Sequence, residues 1–121
     1  MAMQVGIEKV SAITLEVTNM RRSVRFYQGV LGLELLFGGP QSGFSSLRVP
    51  ESAFPIINLR QGNPASGWGR IIFHVSDVDA FWHLLQRNGF NPDTPQDAAW
   101  GERYFHLHDP DGHELSFARP L

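Results

Sequence analysis

The sequence contains no cysteine, which excludes a disulfide and a thiolate metal site and leaves only His, carboxylate or amide side chains to hold any metal. Nowhere do eighteen apolar residues run together, the length a membrane-crossing helix needs. The start Met1-Ala2-Met3-Gln4-Val5-Gly6-Ile7-Glu8-Lys9 has no basic segment followed by an apolar one. A cytoplasmic chain with no membrane partner is expected. Charge is also nearly balanced, ten basic against twelve acidic side chains for a formal net charge of -2. No general attraction to nucleic acid follows from that balance, and none is expected as a partner. Nucleophile-elbow, phosphate-loop and dinucleotide-binding patterns are missing, and Gly38-Gly39-Pro40 is a turn signal and nothing more.

What is present fits one compact domain over 1–121: 121 residues, 42% of them apolar. The chain repeats itself once. Ile13-Thr14-Leu15-Glu16-Val17-Thr18-Asn19-Met20 lies over Ile71-Ile72-Phe73-His74-Val75-Ser76-Asp77-Val78, an offset of 58. Each block reads as a strand of branched residues ending at Asn19 or Asp77, whose side-chain oxygen can cap a helix by accepting from an orphan backbone N–H. Helical periodicity follows in Met20, Val24, Tyr27 and Leu31, and again in Val78, Phe81, Trp82 and Leu85. Gly32 and Gly89 stand where a left-handed C-terminal cap is wanted, and Leu33–Phe37 and Phe90-Asn91 then start new strands.

Further strands are expected over Gly43–Val49 and Phe54–Arg60 in the first half, and over Glu102–His108 and His113–Ala118 in the second. Asp109-Pro110-Asp111-Gly112 between the last two fits a tight type I turn. Gln61–Gly69, rich in Gly, Pro and Ser, is a surface linker between a module at about 8–61 and another at about 68–119. Half the chain buries little core alone, so the modules should need each other.

These residues resemble a known family. Asn19-Met20-Arg21-Arg22-Ser23-Val24-Arg25-Phe26-Tyr27 with Val30-Leu31-Gly32-Leu33 is similar to the helix signature of the glyoxalase/bleomycin-resistance/extradiol-dioxygenase, or vicinal-oxygen-chelate, superfamily. Trp100-Gly101-Glu102-Arg103, Phe105 and Asp109-Pro110-Asp111-Gly112-His113-Glu114-Leu115 resemble the C-terminal signature of its bleomycin-resistance-like branch. The resemblance spans nearly the whole chain. It implies an α+β fold of two βαβββ modules whose mixed sheets form an incomplete, barrel-like cavity, and a homodimer with small-molecule sites.

It also implies four metal-ligand positions, on the first and last strands of each module, which fall here on Ala12, Asn58, Arg70 and Ser116. Alanine has no ligand atom, and a guanidinium opposes a second cation, so the usual divalent metal is not expected and no cofactor is assigned. A rival ligand set remains open in Glu16, His74, His106 and Glu114, with period-two alternation placing Arg70, Ile72 and His74 on one strand face and Glu114 with Ser116 on another. His108 and His113 flank a turn and are expected at the surface, as is His83 on its helix.

Without a metal, Arg70 becomes a fixed charge for an anionic or carbonyl-bearing ligand, with Glu16 as its countercharge. Phe37, Phe44, Phe54, Trp68, Trp100, Tyr104 and Phe105 are candidates to border an apolar site, while Phe26, Phe73, Phe81 and Phe117 read as core. The candidate ligand-binding set is Glu16, Asn58, Arg70, His74, Trp100, Tyr104, His106 and Ser116. Two readings stay open. One is a non-enzymatic protein sequestering an apolar or aromatic small molecule, as the resemblance to drug-resistance proteins implies. The other is a lyase, isomerase, transferase or dioxygenase-related enzyme, using either the rival metal set or His106 and Tyr104 as acid and base.

Overall fold

The computed structural model describes residues 5–121; residues 1–4 lie outside the described residues. Contacts divide the chain after Gly62 into two compact units, within the stretch read as a linker. Each has the same order of elements.

In the first unit β1 (Ala12–Val17) leads to α1 (Met20–Val24), which widens into a π-helical segment over Arg25–Val30, followed by β2 (Glu34–Phe37), β3 (Phe44–Arg48) and β4 (Ile56–Gln61). The sheet order is β1-β4-β3-β2, with β1 and β4 parallel and the remaining neighbours antiparallel. Asn19 caps α1 as its side chain accepts from the Arg22 N–H at 3.0 Å. Beyond Val24 the regular helix expected from periodicity gives way: the Leu31 N–H reaches back five residues to the Phe26 carbonyl, at 2.9 Å. Such an i→i+5 bond marks a π-helical turn. Phe26 and Tyr27 are both buried, ring edge to ring face at 5.1 Å.

In the second unit β5 (Arg70–His74), α2 (Val78–Arg87), β6 (Gln96–Asp97), β7 (Glu102–His108) and β8 (Glu114–Pro120) form a sheet in the order β5-β8-β7-β6. Asp77 caps α2 by accepting from the Ala80 N–H at 3.0 Å. The internal repeat holds at the level of register: Ala12 faces Ile56 in the first sheet, and Arg70 faces Glu114, each 58 positions on, in the second. Both helices end on the expected left-handed glycines, Gly32 at φ 81° and Gly89 at φ 88°.

One expected strand is corrected. Phe90-Asn91 starts no strand, and β6 is only the two residues Gln96–Asp97. Pro92 and Pro95 have no N–H to give to a ladder. The segment is held at isolated points instead, where the Trp82 indole N–H donates to the Pro92 carbonyl at 3.4 Å and the Asp93 N–H to the His106 carbonyl at 3.1 Å.

The core of the second unit lies between α2 and one face of its sheet. Val78 and Leu85 from the helix are buried, as are Ile71, Phe105, Leu107, Leu115 and Phe117 from the strands. Phe73 and Phe81, read as core, are only half-buried, and so is Trp82. At the rim Arg103 bonds Asp79 of α2 and Asp97 of β6, both at 2.9 Å. The Arg103 guanidinium holds the Asp79 carboxyl below the usual carboxylate range, chiefly through their hydrogen bonds. All three groups are solvated, so the network orients the helix more than it stabilises it. Among the described residues no helix is long and apolar enough to cross a membrane.

Candidate functional site

The other face of the second sheet is uncovered by α2 and is shaped by side-chain size. Alternation along β8 places Ser116 and Ala118 on this face, both small and both buried. Ser116 sits between Ile72 of β5 and His106 of β7, and Ala118 between His74 and Tyr104. Short side chains on the central strand between longer ones on its neighbours make a groove. It has a volume of about 110 Å³ and is walled by Arg70 and Ile72 on one side and by Glu102, Tyr104 and His106 on the other, with Trp100 reaching in from the turn before β7.

His106 is the central polar group. Its Nδ1 lies 2.6 Å from Ser116 Oγ. Burial, and then the positive charge of Arg70, push its pKa below the ordinary 6.5 against the opposing pull of Asp93 and Glu114. The imidazole is therefore neutral at pH 7, with one donor and one acceptor nitrogen, and the Ser116 hydroxyl complements Nδ1 in either tautomer. A depressed folded-state pKa means that stability is full above the unfolded value and is lost as pH falls below about 6.5 towards the folded value. An NMR titration should accordingly give His106 a midpoint below 6.5; a midpoint at or above 6.5 would contradict this environment.

Arg70 meets Glu114 through Nη2 and Oε2 at 3.2 Å, both side chains more than a third exposed. Such a pair is worth only about 0–1 kcal/mol. At the other end Trp100, 72% exposed, stacks on Tyr104 with ring centroids 5.7 Å apart and planes 25° apart, and its indole N–H donates to Glu102 Oε1 at 3.0 Å. Tyr104 in turn lies 5.0 Å from the His106 ring.

Of the candidate ligand-binding residues, the structure thus gathers Arg70, Trp100, Tyr104, His106 and Ser116. His74 shares the strand face but is exposed and does not line the groove. Glu16 and Asn58 lie in the first unit and have their own partners: Glu16 pairs with Arg60 at 3.0 Å, and Asn58 accepts from Ser46 at 2.7 Å and donates to Thr14 at 3.4 Å. Within the second unit the carboxylate that meets Arg70 is Glu114, its neighbour across the β5–β8 ladder. Phe105 is corrected. It faces α2, 1% exposed, because odd positions of β7 point away from the groove.

His113 is the third correction. Instead of lying at the surface it is 3% exposed, with the Trp68 indole N–H donating to its Nδ1 at 2.7 Å and its backbone N–H donating to Asp109 Oδ1 at 2.9 Å. This places Trp68 in the linker's anchorage and outside the groove. His108 and His83 are exposed as expected. Sequence reasoning missed Ile72, Glu102 and Ala118 as wall and floor. Their signal was available: Ile72 and Ala118 are each two residues past a candidate on the same strand face.

The four positions that the resemblance implied for a divalent ion do not fit one. Ala12 offers no donor, Asn58 is engaged with Ser46 and Thr14, Arg70 is a cation, and Ser116 is bonded to His106. Among the described residues no three His, Asp or Glu side chains come together as a metal-holding group; in the rival set, Glu16 pairs with Arg60 and Glu114 with Arg70, each on a neighbouring strand.

The family described as the glyoxalase/bleomycin resistance protein/dioxygenase superfamily matches residues 9–117. The chain belongs to this superfamily. A trivalent organoarsenical cleaving enzyme from Bacillus sp. (strain MD1) is 29% identical over 117 residues, covering 90% of this chain and 71% of that protein. Among solved structures, the fold is shared with TnmS3, an antibiotic binding protein from Streptomyces sp. CB03234, at a TM-score of 0.81 and 23% identity over 98% of this chain and 100% of that one. TioX from Micromonospora sp. ML1 matches at 0.74 and 25% identity, over 94% and 100%. Superfamily membership accounts for the two βαβββ units, while a fold of this kind does not by itself fix an activity.

Proposed function

We propose that this superfamily member binds and sequesters a flat aromatic small molecule in the groove of its second sheet without a divalent metal. The observation that carries this reading is Trp100. A large indole left 72% exposed yet stacked on Tyr104 beside a small-residue floor is a surface awaiting a third ring. Aromatic rings on a few placed polar groups are what ligand sites are commonly made of. The structural likeness to an antibiotic binding protein supports the class of function. A homodimer belongs to the same reading; sedimentation at twice the chain mass is expected, and a monomer at all concentrations would remove the dimer from it.

Calorimetric titration with 2-naphthoate tests the binding. A ring contact is worth about 0.5–1.5 kcal/mol beyond its buried area, so Trp100→Ala should weaken binding roughly tenfold. Equal affinity in the variant would take Trp100 out of the site.

One observation favours a second reading, an acid–base enzyme. The neutral His106, oriented by Ser116 inside the groove, is equipped to accept a proton from a bound substrate, and a relative is an enzyme. Ligands recovered chemically unchanged after prolonged incubation support sequestration; a product lost in His106→Gln supports catalysis.

A further inference from the structure

The two ends of the groove differ in charge, and the register fixes how they are arranged. Arg70 faces Glu114 at the start of β8, and Glu102 faces Pro120 at its end. Their backbones are six residues apart along β8, about 20 Å at 3.3 Å per residue, yet both side chains line the same hollow. Between them lie the Ser116 and Ala118 floor and the stacked Trp100 and Tyr104 rings. A cation therefore stands at one end of an aromatic trough and a carboxylate at the other.

Neither charge is committed to its protein partner. The Arg70–Glu114 contact is a single, solvated one at 3.2 Å, while a guanidinium has five N–H donors and takes a second carboxylate readily. Glu102 receives the Trp100 N–H on Oε1, and an ionised carboxylate keeps acceptor positions on both oxygens. Arg70 thus offers donors and no acceptor; Glu102 offers acceptors and no donor. A dicarboxylate would leave Glu102 without a donor, and a diammonium ligand would leave Arg70 without an acceptor.

Building on the binding reading above, we infer that the ligand is an aromatic hydroxy- or amino-carboxylate lying along β8, its acid group on Arg70 and its hydroxyl or amino group on Glu102. His106 and Ser116 border its middle, and Trp100 stacks on its ring.

The test compares 2-naphthol, 2-naphthoate and 6-hydroxy-2-naphthoate by calorimetry on the full chain, then repeats the series with Arg70→Met and Glu102→Gln. The hydroxy-acid is expected to bind at least tenfold more tightly than either singly substituted probe. Arg70→Met should remove the advantage of both carboxylates and leave 2-naphthol unchanged, and Glu102→Gln should weaken the two hydroxyl-bearing probes severalfold and leave 2-naphthoate unchanged. Circular dichroism spectra matching the parent show that the variants are folded. If all three probes bind the parent equally, or if neither substitution alters their order, the polarity assigned here is overturned while aromatic binding stands. If none binds the parent, both are overturned.

Discussion

Replacing Phe117 with alanine should lower the unfolding free energy by about 3–5 kcal/mol, the cost of emptying a large, closely surrounded aromatic site. Phe117 is 1% exposed and is packed by three rings, Phe81 of α2 at 5.0 Å, Phe105 of β7 at 5.1 Å and Phe73 of β5 at 5.6 Å. Those neighbours come from three different elements, so no single side-chain shift can refill the space. The loss is a large share of the about 5–15 kcal/mol that holds an ordinary domain together. Urea denaturation followed by far-ultraviolet circular dichroism measures it, with Phe44→Ala, an exposed aromatic, as the contrast expected to cost under about 1 kcal/mol. A Phe117→Ala loss as small as that of Phe44→Ala would contradict the packing described for the second unit.

The second large effect is at Gly38→Ala in the turn between β2 and β3. Gly38 has φ +77°, and a Cβ there would lie 2.2 Å from the Phe44 carbonyl oxygen, 2.7 Å from Ser45 Oγ and 2.9 Å from Ser45 Cα. Two of those atoms are backbone of the adjoining strand and cannot swing aside. Left-handed backbone costs a non-glycine residue about 1–2 kcal/mol and the overlap about 1–3 kcal/mol, together roughly 2–5 kcal/mol. The clash would also strain the Gly39 N–H bond to the buried Ser45 hydroxyl, at 2.9 Å. Gly43→Ala is the control. Its φ is not positive and nothing lies within 4 Å of its added Cβ, so thermal denaturation should place it near the parent. Equal midpoints for the two variants would show that the turn is not built as described.

Much of the fold was legible because local chemistry and long-range pairing agree. Asn19 and Asp77 cap helices wherever the chain folds, since the bond is to an N–H three residues away, and the 58-residue repeat carried the register of one module into the other. The misses are of a different kind. Phe90-Asn91 has strand-like beginnings, but Pro92 and Pro95 decide the pairing. His113 lies next to a turn, which suggests exposure, but Asp109 folds back to hold its backbone and Trp68 reaches its ring from 45 residues earlier, a contact no periodicity encodes. Phe105 is a candidate to border the site as long as no register is known; pairing with Phe117 turns it to the core. The site was half legible for the same reason. Arg70, His106 and Ser116 stand out by chemistry, whereas Ala118, which completes the small-residue floor with Ser116, has no reactive group and is signalled only by its position two residues past Ser116 on the same strand face.

The most direct test of the central claim is a heteronuclear NMR titration of isotope-labelled protein with 2-naphthoate. The account predicts that amide and side-chain shifts concentrate on Ile72, Trp100, Tyr104, His106, Ser116 and Ala118, the walls and floor of the groove. Perturbations confined to the first unit, or to the α2 face of the second sheet, would contradict it and move the binding surface elsewhere in the molecule.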